Sequence, residues 1–539
     1  MKNMKRIVSL LLVLVMALTA FVGCGKDKKE ETNKGPRKLT VGVPQDATVP
    51  DYDTNGLTVY LEKATGIEIE WVYFASGAAN YKQQLTLMCT GGEELPDVLI
   101  GFNSLGHYVV NQFGEDGFIQ DLSPYIKDKA PNYQKAMAGL SKSMQQYVKE
   151  KGTNTVDGKS FYAMPSIGLE CIDNMQSMVY INQTWLDALG LKAPTNVAEL
   201  EAVAKAFKEK DPNGNGQNDE MAMLGSFTNW IINAYVEYDS GNFNVKDGKV
   251  WDPIMTEEWR QGMTKVADLV AKGYFNELSF TLSSNEKKNL ISPTDGPSKV
   301  GMFTGHHESM TNASTDALDH FTALAPLADE TGKGGYNIIN EIDAVWGAMV
   351  TVDCDNPELA VEFLDAFYAD EAVTSQRHGV KGVDWEYQEG TNAYGTPSYA
   401  KCINSEAFFD GSLNCTLGNL LYIMTQWNYL LIDEGGTEGR IAQAARLQRE
   451  QWAIHEAAKK RESVSTLVYT TEEYETRELK AGNVSSYISE QSTLFATGDK
   501  DIRDNKTWDE FKSTLKSLGR DEMLKIAQDA YNRKLERAK

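Results

Sequence analysis

Ten consecutive residues have the types and spacing to hold a metal ion: Asp211-Pro212-Asn213-Gly214-Asn215-Gly216-Gln217-Asn218-Asp219-Glu220. Oxygen-bearing side chains at positions 1, 3 and 5 of this run, with glycine at position 6, match the front half of an EF-hand calcium loop. A hard cation of this kind wants about six to eight oxygen ligands around one point. The alternation turns Asp211, Asn213 and Asn215 inward, Gly216 permits the sharp turn, and Gln217 offers its backbone carbonyl. Position 12, where a bidentate glutamate usually sits, is Ala222, so Asp219 and Glu220 must supply the missing carboxylates. With the ligand positions filled by protein, a bound Ca2+ is expected to be structural. The competing reading is a polar turn after a helix.

Other runs resemble chemical motifs and fail on spacing. Gly158-Lys159-Ser160 suggests a phosphate loop, but the glycine required five residues earlier is Thr153. Gly101–Gly106 is not a nucleophile elbow, because position 102 is Phe. Among the six histidines there is no His-Glu-x-x-His pair, and His306-His307-Glu308 lacks a third placed ligand. Paired carboxylates for glycoside hydrolysis stay open, since 76 acidic residues make coincidental pairs inevitable.

A chain of 539 residues is too long for one small domain and suits two large lobes. Its 42% hydrophobic and 24% charged content are ordinary globular values. A net charge of −23 argues against nucleic acid, whose binders carry a basic face. Lys2, Lys5 and Arg6 precede an apolar run from Ile7 to Leu18, and Phe21-Val22-Gly23-Cys24 follows. This is a secretory signal (1–23) that resembles the bacterial lipobox, with Phe21 in the place of the usual leucine. Cys24 is then the acylated N-terminus and 24–38 a charged tether, which anchors the protein to the outer face of the cell membrane without crossing it. The five later cysteines show no Cys-x-x-Cys spacing, so buried free thiols are expected; a Cys402–Cys415 pair stays open.

The elements that must position these residues read as alternating strands and helices. Leu39–Val43, Ile67–Phe74 and Pro96–Ile100 are expected strands, Leu57–Thr65 and Tyr81–Cys89 helices, which implies a parallel sheet with crossovers. Ligands in such sheets sit beyond the carboxyl ends of the strands, at Pro44–Asn55 and at Gly101-Phe102-Asn103-Ser104. Asn196 with Glu199 reads as a capping box, and Asn356-Pro357-Glu358 as a cap, a first-turn proline and a first-turn acid. The last hundred residues read as mostly helical, with Gly519 between two helices.

Trp230, Trp346, Trp385 and Trp427 fall in or beside loop-like or strand-end contexts, where an indole face can stack on the C–H face of a sugar. Each alone can equally be core. Several further runs carry a family resemblance: Gly91-Gly92-Glu93-Glu94-Leu95-Pro96-Asp97-Val98, Gly158–Pro165, Asn356–Ala360, Asp211–Glu220, Trp508-Asp509-Glu510-Phe511 and Ala530-Tyr531-Asn532-Arg533. Together with the lipobox they resemble the extracellular solute-binding proteins of bacterial carbohydrate ABC importers, most closely the large lipoproteins of the alginate-oligosaccharide-binding type.

The resemblance implies an α/β, two-lobed periplasmic-binding-protein-like fold of type II (maltose-binding-protein-like), with an interdomain cleft and a helical C-terminal extension. It places lobe 1 at 39–165 and about 335–385, and lobe 2 at about 166–334 and 386–539. The crossings are expected near Tyr162–Pro165, Pro326–Asn340 and Val383–Gln388. It implies a monomeric, non-enzymatic receptor that captures an oligosaccharide and delivers it to permease subunits. Expected cleft residues are Asn103, Trp230, His307, Trp346, Trp385 and Trp427, His306-His307 standing where the family usually has an aromatic. A surface-anchored glycan-degrading enzyme and a receptor for a non-sugar solute are the alternatives.

Overall fold

The computed structural model describes residues 37–537, apart from 48, 103–104, 313–315, 340–343 and most of 141–159, 169–176, 405–439 and 458–466. Cys24, Asn103 and Trp427 therefore lie outside the described residues, and Trp346 is described by its backbone place alone. The folded unit starts at Lys38.

Two sheets organise it. The first has the order β14-β4-β11-β3-β1-β2, from β1 (Lys38–Pro44), β2 (Glu68–Phe74), β3 (Val98–Ile100), β4 (Met164–Gly168), β11 (Ala344–Val350) and β14 (Met424–Thr425). The second has the order β10-β5-β9-β6, from β5 (Val179–Asn182), β6 (Met221–Leu224), β9 (Val300–Thr304) and β10 (Phe321–Ala323). Two hairpins stand apart, β7–β8 (Asn244–Lys246, Lys249–Trp251) and β12–β13 (Trp385–Thr391, Pro397–Cys402). The sheets are mixed where a wholly parallel one was expected. β1 runs parallel to β2 and β3, but β11, arriving from the second sheet, is antiparallel to both β3 and β4.

Alternation along each strand feeds two cores per sheet. In β5, Val179 and Ile181 enter one cluster with Met223 and Met302, while Tyr180 enters another with Leu224 and Phe303. In the first sheet Val98 and Ile100 face one core and Leu99 the other. Both faces are buried, as a crossover sheet requires.

The helices begin where the caps were read. Asn356 accepts from the Leu359 N–H ahead of Pro357–Asp365, and Phe363 and Leu364 are fully buried. Asn196 accepts from Ala198 and Glu199 N–H, but Glu199 reaches back to the N–H and hydroxyl of Thr195, one residue before the cap expected to receive it.

The C-terminal helices Thr471–Thr497, Asn505–Ser517 and Arg520–Arg537 pack on the second lobe. Trp259 lies in parallel stacks with Trp508 (6.0 Å, 14°) and Phe511 (5.5 Å, 8°). Arg520 forms a buried pair with Asp252, its Nε 2.7 Å from Oδ2, and Arg260 donates to the Ile502 and Arg503 carbonyls.

Residues after 386 contribute to the first sheet as well. Cys415 and Leu417 pack in the first lobe's core, and β14 extends its sheet beside β4.

Candidate functional site

Register fixes which ends of the two sheets carry the connections between lobes. Ala344 pairs with Ile167 and Ala348 with Ile100, so the carboxyl ends of β3 and β4 lie at the end of the sheet where β11 enters. Between the lobes the two passages touch at a bridge, Met175 to Ile339. In the second sheet β5 begins, and β6, β9 and β10 end, at one common edge. Each sheet therefore presents strand carboxyl ends at the edge where the chain crosses, the arrangement in which open α/β sheets bind ligands. The first connection runs from Gly168 to Met178, just past the expected Tyr162–Pro165; the second spans the expected Pro326–Asn340.

The second lobe's carboxyl-end surface is tightly built. The Ser226 N–H donates to Thr304 Oγ1 at 2.6 Å, tying the end of β6 to that of β9. A Cβ on Gly225 would sit 2.5 Å from the same oxygen, so only glycine fits. His307, expected in the cleft, turns inward: it is 1% exposed, with Nδ1 3.0 Å from the Tyr180 hydroxyl. Its neighbour His306 is the exposed one.

Two of the expected tryptophans offer no face to a ligand. Trp230 is 3% exposed, edge-on to Phe227 in the second lobe's core, because the short helix Thr228–Ile232 presses it inward. Trp385 is 1% exposed, its indole N–H donating to the Gly379 carbonyl at 3.0 Å. Trp346 sits on β11 opposite Pro165, beside a bulge, at the connection edge of the first sheet.

Trp385 opens a feature that sequence reading missed. Its hairpin is rooted in the first lobe, where Asp384 accepts from the Val380 N–H at 2.8 Å and Tyr399 bonds the Thr374 hydroxyl at 3.3 Å. The tip reaches the second lobe, where Tyr394 stacks on Trp452 at 4.4 Å and 21°. The signal was present: Asn392 accepts from the Tyr394 and Thr396 N–H groups, and Gly395 follows in the left-handed region (φ 75°), an Asx-type turn between alternating runs. Tyr394→Ala should cost about 2 kcal/mol in denaturant unfolding, since it removes a stacked aromatic between lobes. A loss below about 0.5 kcal/mol would show that the tip carries no strain between them.

The Asp211–Glu220 loop is wound as an oxygen cradle. Asp211 accepts from the Asn215 and Gly216 N–H groups (3.1 and 3.0 Å), and Asn215 from Gln217 N–H (2.7 Å). Asn215 also donates to Asp219 at 3.1 Å. Asp211, Gly214 and Gly216 all take left-handed backbone, which closes the turn. Lys299 pairs with the outer oxygen of Asp219 at 2.9 Å and holds that carboxyl below its ordinary range. Glu220 is 8% exposed and neither carboxylate oxygen has a hydrogen-bond partner; burial first, then Asp211 and Asp219, push its pKa up. A buried carboxylate without a donor, beside two more acids, fits a hard cation. Among the described residues no three carboxylate, imidazole or thiol groups converge as a metal cluster; this loop mixes acids with amides.

The described thiols are unpaired by disulfides. Cys354 and Cys415 are buried, and burial pushes each thiol's pKa up to about 12.

With this geometry in view, comparison with known proteins is direct. Residues 46–374 match the bacterial extracellular solute-binding protein family, and the chain belongs to that family. A fructooligosaccharide ABC transporter substrate-binding protein, FusA of Streptococcus pneumoniae serotype 4, is 25% identical over 340 residues, covering 60% of this chain and 59% of that one. The chain thus matches less than two thirds of that relative's length. The polygalacturonan/rhamnogalacturonan-binding protein YtcQ of Bacillus subtilis is 24% identical over 404 residues, covering 70% and 74%. An extracellular solute-binding protein from Bifidobacterium longum subsp. infantis shares the fold with a TM-score of 0.75 at 19% identity, covering 93% and 99%. FusA itself, as an EF-hand mutant bound to fructo-nystose, superposes with a TM-score of 0.70 at 20% identity, covering 93% and 100%. The architecture is that of two-domain solute-binding proteins of the maltose-binding type.

Proposed function

We propose that this chain is a lipid-anchored extracytoplasmic receptor that captures an oligosaccharide between its lobes and delivers it to the permease of an ABC importer. What carries the reading is family membership joined to one observation: both sheets present strand carboxyl ends at the edge where the chain crosses between lobes. Two relatives named for fructooligosaccharide and galacturonan binding support a carbohydrate ligand. Cys24 is the acyl anchor of a monomer on the outer face of the membrane; no helix among the described residues is long and apolar enough to cross it. The chain performs no chemistry. Closure buries the ligand, so affinity comes from contacts made only in the closed state.

Trp346, Trp427 and Asn103 form the reduced set of cleft residues, with exposed His306 in place of His307. Ca2+ binds the Asp211, Asn213, Asn215, Gln217, Asp219 and Glu220 loop and holds it folded without touching sugar; an EF-hand in FusA supports this. Lobe 1 comprises 39–168 and 344–402 with the β14 strand, and lobe 2 comprises 178–323 and the helices from Arg440 onward.

Calorimetric titration of the mature protein with pooled oligosaccharides, in calcium buffer, should give heat that saturates near one ligand per chain. Steady heat that never saturates would mean turnover and replace the receptor with a glycan-degrading enzyme. Silence from all pools would move the ligand to a non-sugar solute.

A further inference from the structure

Three asparagines of the chain precede a glycine: Asn55, Asn213 and Asn215. A glycine in that place has no Cβ to shield its peptide nitrogen from the asparagine side-chain carbonyl carbon. Attack of the nitrogen on that carbon releases ammonia and closes a succinimide ring. The three pairs stand in different surroundings.

Asn55 is fully buried as a helix cap, its Oδ1 accepting from the Leu57 N–H at 3.0 Å. The Gly56 N–H donates to the Asn414 carbonyl at 2.9 Å, and a Cβ on Gly56 would sit 2.5 Å from Val380. The side chain cannot swing onto the next nitrogen without breaking that cap. After Asn213, the Gly214 N–H donates at 3.2 Å to the Asp211 main-chain carbonyl, which takes no proton.

Asn215 differs at every reacting atom. The Gly216 N–H donates to Asp211 Oδ2 at 3.0 Å, a carboxylate that can take the proton of the attacking nitrogen. Asn215 Oδ1 accepts from the Gln217 N–H at 2.7 Å, the contact that steadies charge developing on this oxygen. The Nδ2 group, which must leave, donates to Asp219 Oδ1 at 3.1 Å, and Lys299 pairs with the other oxygen of Asp219 at 2.9 Å. Gly216 is exposed with open space on its Cβ side, so water reaches the ring.

We propose that Asn215-Gly216 is a self-modifying site that deamidates when the loop holds no ion, an inference that rests on the calcium reading given above. The Gly216 nitrogen gives its proton to Asp211 and bonds to Asn215 Cγ. The Cγ–Nδ2 bond breaks, and ammonia leaves with that proton, relayed by water. A second water opens the ring, at Cγ to give aspartate or at the main-chain carbonyl carbon to give isoaspartate. In the loaded loop Asp211 and Asn215 are ligand positions, so neither is available to react. Isoaspartate adds a main-chain methylene at the fifth loop position and spoils the cradle. Conversion therefore retires, irreversibly, molecules that have stood without the ion.

The test ages the mature protein in chelator and in calcium, then maps its peptides by mass spectrometry with fragmentation that separates aspartate from isoaspartate. In chelator Asn215 should convert first, Asn213 later and Asn55 not at all. Free calcium at about ten times its Kd should slow conversion at position 215 roughly tenfold, following the share of ion-free loop. Asp211→Asn, aged in chelator, should slow it roughly tenfold or more, because an amide takes no proton. Aged protein should lose its calcium-dependent melting shift in proportion to the isoaspartate formed. Asn215 converting no faster than Asn55, or at the parent rate in Asp211→Asn, overturns the proposal. The comparison with Asn55 lies within the parent chain and needs no variant to fold. Conversion at Asn215 that runs equally in calcium and in chelator sinks the calcium reading and leaves the self-modification standing.

Discussion

Stripping calcium with a chelator should lower the melting temperature of the mature protein by about 10 °C. The estimate follows from mass action: a free ion at a thousand times its Kd stabilises the folded state by about 4 kcal/mol, and a lobe of this size shifts by about 2–4 °C per kcal/mol. Glu220→Gln should abolish most of the response, because it removes the buried carboxylate that lacks any protein donor. The variant also isolates a pH effect whose sign is fixed. Burial holds the Glu220 pKa above the ordinary carboxylate value of 4.5 in the folded state. A proton on Glu220 therefore favours folding. In chelator, this group's contribution is greatest below the ordinary value and is lost as pH rises through the raised one. Calcium reverses the dependence, since the ion needs the carboxylate ionised. The comparison is the difference between parent and Glu220→Gln, which cancels acids such as Asp219 and Glu473 whose lowered pKa values act the other way. A parent that melts at the same temperature with and without chelator has no structural ion in this loop.

The second large effect belongs to Trp259. Trp259→Ala should cost about 4 kcal/mol, read from urea midpoints at constant slope. The residue is fully buried and stacks on Trp508 and Phe511, with Tyr238 edge-on. Truncation leaves a cavity between the body of the second lobe and the helix Asn505–Ser517, where the surrounding rings have no room to collapse. Trp259→Phe keeps one stack and should lose roughly half as much. A cost under about 1 kcal/mol for the alanine variant would mean that the C-terminal helices are held by Arg520–Asp252 and Arg260 instead of by this aromatic stack.

Much of the first lobe was legible because its signals are local. The strand and helix limits near Leu39, Leu57, Ile67 and Pro357 follow from caps and apolar runs within ten residues of each other. The loop at Asp211 was legible for the same reason. The cleft was not. Whether His306 or His307 faces outward is decided by Tyr180, 127 residues away in sequence, and no local pattern carries that. Trp230 and Trp385 read as loop-side aromatics, yet a short helix and a hairpin root close over them.

The β12–β13 hairpin has a mechanical meaning. A door hung on two adjacent pins can still twist; a third fixing set away from them leaves only the swing. The passages that touch at Met175 and Ile339 act as the pins, and the hairpin, bolted at Trp385 and resting on Trp452 at Tyr394, is the third fixing. Were the lobes to swing, these three contacts would leave them one path, and one pair of fluorescent labels, one per lobe, should read the motion as a single distance.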